Sequence, residues 1–108
     1  MDVAPDGYAR NLHQGIIRAS HRVAGAAPSP IRPGEVYEYT IDLWATSNVF
    51  LAGHRIRVEI DASNFPLFDR NTNSGLPQAS ADRTEVAQQT VFHDRLRASH
   101  ILLPIIDG

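Results

Sequence analysis

Two segments of this chain alternate apolar and polar residues with a period of two, and that pattern limits the fold more than anything else in it. From Val36 to Trp44, Tyr37, Tyr39, Ile41 and Leu43 share one parity, and Glu38, Thr40 and Asp42 share the other. From His54 to Asp61, Ile56, Val58 and Ile60 alternate with Arg55, Arg57, Glu59 and Asp61. Successive side chains of a strand point to opposite faces, so both segments read as strands with one buried and one wet face. Opposite charges at alternate positions of 55–61 suit cross-strand pairing on a solvent-facing sheet. No segment carries a convincing amphipathic-helix period. Several short strands separated by turn signals predict an all-β sandwich with antiparallel pairing.

Turn residues divide the chain further. Asp6-Gly7 is a tight-turn dipeptide with only five residues before it, so the chain reads as beginning inside a β-hairpin. Residues 8–12 and 16–22 read as short strands around His13-Gln14-Gly15. Residues 23–33 read as a loop, because Pro28, Pro30 and Pro33 each remove a backbone donor. Pro33-Gly34 and Ala52-Gly53 lead into the two alternating segments. Residues 64–83 form a polar stretch of about 20 residues, longer than an ordinary structureless connection, which implies function or packing. Residues 85–93 and 99–106 read as the last strands. Trp44 falls by parity on the wet face, where its bulk implies cover from a loop or another domain.

Composition excludes several functions. With 108 residues there is room for one small core. A net charge of -2, with ten arginines and no lysine, shows no polyanion-binding surface, so nucleic acid is not an expected partner. The absence of cysteine rules out disulfides and thiolate metal sites. No apolar run reaches membrane-spanning length and the N-terminal residues do not read as a secretory signal, so no membrane partner is expected and a cytoplasmic location is the default.

The candidate chemistry is sparse. Nucleophilic serines of α/β-hydrolases sit in G-x-S-x-G, and Asn73-Ser74-Gly75 lacks the first glycine and a following helix. His93 and Asp94 are adjacent, so regular strand geometry sends them to opposite faces and they do not share a metal ion. No cofactor, metal or catalytic residue is expected. The loop Phe65-Pro66-Leu67-Phe68-Asp69-Arg70-Asn71 carries two aromatics beside Asp, Arg and Asn. It suits either a sugar platform or a structural closure of the sandwich.

A longer ordered pattern runs through Asp2-Val3-Ala4-Pro5-Asp6-Gly7, Gly15-Ile16-Ile17-Arg18-Ala19, Pro33-Gly34-Glu35-Val36-Tyr37 and Ile41-Asp42-Leu43-Trp44-Ala45-Thr46-Ser47. It continues through Phe50-Leu51-Ala52-Gly53-His54-Arg55-Ile56-Arg57, Ser63-Asn64-Phe65-Pro66, Phe68-Asp69-Arg70-Asn71 and Gln89-Thr90-Val91-Phe92-His93-Asp94. These motifs resemble the C-terminal domain of the X-Pro dipeptidyl-peptidase and cocaine-esterase (CocE/NonD) type serine hydrolases. The resemblance implies a jelly-roll β-sandwich of the galactose-binding type, appended to an α/β-hydrolase domain that holds the catalytic triad and cleaves esters or amides. No triad residue has a counterpart here. Residues 1–108 would then be the C-terminal portion of one such jelly roll, with its first strands preceding Asp2. The expected partner is the α/β-hydrolase domain, in the same or a separate chain, and self-association is an alternative way to cover open sheet edges. Trp44, Phe65, Phe68, Asp69, Arg70 and Asn71 are the expected interface or ligand-contact residues. A stand-alone carbohydrate-binding module is the alternative function.

Overall fold

A left-handed glycine builds the first element. The computed structural model describes residues 1–106, so the last two residues of the 1–108 domain reading lie outside the described residues. Gly7 has φ of +92°, a conformation that side chains with a Cβ adopt only at a cost. Its N–H donates to the Ala4 carbonyl at 2.9 Å, the Ala4 N–H donates to the Tyr8 carbonyl at 2.9 Å, and the Asp6 carboxylate accepts from the Tyr8 N–H at 2.9 Å. This turn joins β1 (Asp2–Val3) to β2 (Ala9–Arg10) in an antiparallel hairpin. The hairpin anticipated around Asp6-Gly7 is therefore present.

The second turn expected from the sequence, Ala52-Gly53, closes with the His54 N–H donating to the Leu51 carbonyl at 3.0 Å. It delivers β3 (Arg55–Ile56) antiparallel onto the other side of β1, giving a three-stranded sheet in the order β2-β1-β3. Met1 and Arg57 extend this pairing by exchanging backbone bonds of 2.8 and 3.0 Å. β1 is thus the central strand, and Val3, 6% exposed, is the only buried apolar residue among those described.

The rest of the chain departs from the strand pattern read in the sequence. Residues 36–44, 85–93 and 99–106 hold no strand, and β2 and β3 occupy only two residues each of the segments 8–12 and 54–61. In place of a strand over 16–22 there is a 3-10 turn at Ala19–His21. The last two expected strands reduce to one bridge, His93 to Ala98. Alternation specifies which face of a segment is apolar, but a strand also needs a neighbour to take its N–H and C=O groups. Trp44 adds a local break. Its φ is +58°, and its N–H donates at 2.7 Å to the Asp42 carboxylate, turning the chain where an extended run was expected. The architecture is β-rich and mostly irregular.

Two units divide the chain, Met1–Asn64 and Phe65–Gly108. In the first, Arg22 ties down the proline-rich loop. It donates to the Ala19 and Ser29 carbonyls at 3.1 and 2.8 Å and stacks its guanidinium 4.3 Å from the Tyr37 ring centre. The Tyr37 hydroxyl donates to Glu35 at 2.6 Å and accepts from the Arg32 N–H at 3.0 Å. In the second unit, Arg97 closes the 93–98 turn, forking onto the Asp94 carboxylate at 2.6 and 3.0 Å while lying over Phe92 at 3.7 Å.

Candidate functional site

The most enclosed polar cluster lies on the sheet in the first unit. Register places Asp2 opposite both Arg10 and Ile56, and His54 lies two residues before Ile56, so Asp2, Arg10 and His54 share one face. Asp2 is 5% exposed, and its carboxylate accepts from His54 Nδ1 at 2.7 Å. Its other oxygen lies 3.5 Å from Arg10 Nη2, which also donates to Asn48 Oδ1 at 2.6 Å. The His54 hydrogen bond holds the Asp2 carboxyl below the usual carboxylate range against the opposing effect of burial, with smaller help from Asn48 and Arg10. Asn48 Nδ2 is shielded from solvent beside the Asp2 carboxylate, with no hydrogen bond of good geometry among the described residues.

A cavity of about 300 Å³ opens beside this cluster, lined by Asp2, Ala4, Tyr8, Arg10, Val49, Leu51 and His54. An acid that orients an imidazole is two-thirds of a nucleophile-activating arrangement. The third part is a hydroxyl or thiol within hydrogen-bonding reach, and among the described residues none bonds to His54. The cluster therefore acts as a polar anchor joining the hairpin to β3. The sequence offered no local signal for it, because Asp2 and His54 stand 52 residues apart and only the strand register brings them together.

The residues expected at an interface are distributed over both units. Trp44 belongs to the first and is 85% exposed; Phe65, Phe68, Asp69, Arg70 and Asn71 belong to the second. Phe65 is largely exposed, while Phe68 is half-buried. The Arg70 guanidinium lies 5.3 Å from the Phe65 ring centre and occupies one ring face, where a sugar would have stacked. Asn71 uses its side-chain oxygen to accept from the Asn73 N–H at 3.1 Å, supporting the left-handed turn there. Arg70 also borders a second cavity of about 380 Å³ with Thr72, Ala81, Asp82, Arg83 and Thr84. Arg70 and Asn71 thus make contacts within their own loop.

A β-rich chain whose one Asp–His pair lacks a nucleophile among the described residues fits a non-catalytic domain class. The family profile of the X-Pro dipeptidyl-peptidase C-terminal non-catalytic domain matches residues 1–102, and the chain belongs to that family. It is 44% identical over 108 residues to the cocaine esterase of Rhodococcus sp. (strain MB1 Bresler), an alignment covering 98% of this chain and 19% of that protein. A protein of Mycobacterium bovis named as a serine esterase is 33% identical over 125 residues, covering 97% of the chain and 18% of the relative. A Mycobacterium tuberculosis protein bearing the same kind of name matches to the same extent. The chain thus spans about a fifth of the length of the curated relatives it matches. No solved structure matches it significantly.

Proposed function

We propose that this domain is a jelly-roll β-sandwich segment, residues 1–108 forming part of one domain, that supports the catalytic domain of an α/β-hydrolase-type serine esterase. The carrying observation is the match of residues 1–102 to a non-catalytic domain family, together with relatives that are esterases by name. The exposed apolar residues supply a physical reason. Ile41, Val49, Leu51, Ile56, Val58 and Ile60 are all exposed, and covering them would release about 25 cal/mol per Å² of apolar surface. Trp44 and the loop 65–71 are the contact residues in this reading. Chemistry on the ester belongs to the partner domain, and this chain contributes surface.

The test adds this chain to the catalytic portion of a cocaine-esterase-type enzyme prepared without its own matching segment. The expected results are a complex by size-exclusion chromatography and a longer catalytic half-life on warming. Trp44→Ala combined with Phe68→Ala should weaken that complex. A complex of unchanged affinity would remove those residues from the interface. Absence of any complex, or covalent labelling of a serine of this chain by a fluorophosphonate, would overturn the supporting role.

A further inference from the structure

The cavity beside the Asp2 cluster offers a ligand one oriented hydrogen-bond acceptor. A carboxylate only accepts, so the bond between His54 and Asp2 places the imidazole proton on Nδ1. In the neutral ring the lone pair then lies on Nε2, which makes no hydrogen bond among the described residues. The His54 side chain is 19% exposed and forms part of the cavity wall. Asp2 is buried behind it, so the carboxylate fixes the ring while offering little surface of its own.

Charge around this cavity is already balanced. The Asp2 carboxylate lies 3.5 Å from the Arg10 guanidinium, and Arg10 also donates to Asn48. A charged ligand would give up its hydration without meeting an unpaired counter-charge. The rest of the wall is apolar: Ala4, Tyr8, Val49 and Leu51, the last three largely exposed. Covering them favours an apolar body, and Tyr8 supplies an aromatic ring for it to pack on. An apolar cavity of roughly 150 Å³ holds a benzene molecule. The volume here, about 300 Å³, suits one ring with a short substituent.

We propose that this cavity binds a neutral, single-ring phenol, whose hydroxyl donates to His54 Nε2 while its ring lies among Tyr8, Val49 and Leu51. The sheet assembles the parts: β1 carries Asp2, the Gly7 turn leads to Tyr8, and the Ala52-Gly53 turn joins Leu51 to His54. Each chemical feature of the ligand answers one of these parts. The hydroxyl proton answers the Nε2 lone pair, neutrality answers the paired Asp2 and Arg10, and the ring answers the apolar wall. Binding is a property of this chain by itself and does not depend on a catalytic domain.

Amide and methyl NMR spectra of the full chain, titrated with para-ethylphenol, test this. Saturable shift changes centred on Tyr8, Val49, Leu51 and His54 are expected. The methyl ether para-ethylanisole has a similar body without the donor proton. It should bind at least about fivefold more weakly, because Nε2 then stays unpaired. The para-ethylbenzoate anion should bind more weakly than the phenol as well. His54→Phe keeps an aromatic wall and should erase the difference between phenol and ether. That change also unpairs Asp2, so Leu51→Trp is the second variant. It fills the cavity without touching the Asp2–His54 bond, and should abolish binding while the Ala4 amide keeps its protection from exchange. An absence of saturable shifts, an ether bound as tightly as the phenol, a carboxylate bound more tightly, or binding that persists in Leu51→Trp would overturn the proposal.

Discussion

Asp2 carries two neighbours that are remote in sequence, His54 and Arg10, and its ionisation is coupled to the structure they hold. Its carboxyl is held below the ordinary value in the folded chain, so the stability it contributes is fully present above the ordinary carboxylate range. It is lost as pH falls through the depressed value. The urea midpoint of the wild type should therefore fall on acidification below the ordinary carboxylate range, and that of Asp2→Asn should fall less. Parallel curves for the two proteins would remove Asp2 from the linkage. Asp94 is depressed in the same direction by its bond from Arg97, but it is exposed and screened, so its share is smaller. Gly7 is the other residue whose identity matters by itself. Gly7→Ala at a φ of +92° should destabilise the hairpin by about 1–2 kcal/mol, read from the exchange rate of the Ala4 amide.

Elements in this chain are set by turns more than by strands. Asp6-Gly7, Pro33-Gly34 and Ala52-Gly53 all form turns where the sequence implies them, because a turn is closed by its own residues. The alternating segments are different, since a ladder requires a partner strand. Residues 36–44 keep their pattern and form no strand. One contact between segments was absent from any sequence pattern. Gly15 lies so near residues 41–43 that an added Cβ would come within 2.6 Å of the Asp42 carbonyl oxygen and 2.9 Å of Ile41 and Leu43 side-chain carbons. Gly15→Ala should force these segments apart at a cost of about 1–3 kcal/mol, with chemical-shift changes centred on residues 41–43. Shifts confined to residues 13–17 would show that the approach is not held in solution.

Across the whole molecule large apolar side chains such as Val49, Ile60, Val86 and Ile106 stay exposed. Much apolar surface is therefore available to partners, and the predicted binding to a catalytic domain draws on it. That contact should lower the fluorescence of a hydrophobic dye bound to the free chain. By itself the sequence determined the family, through ordered motifs such as Ala52-Gly53-His54-Arg55 and Phe68-Asp69-Arg70-Asn71, and it determined the turns and a β-rich, largely non-helical character. Motifs and turns are local, so one chain segment carries all the information they need. Only the tertiary structure decided that Asp2 meets His54, that Arg70 lies over one face of Phe65, and that β3 lies at the edge of its sheet. Each of these depends on which backbone groups find partners, and pairing between segments distant in sequence is fixed by register and burial, which no local pattern encodes.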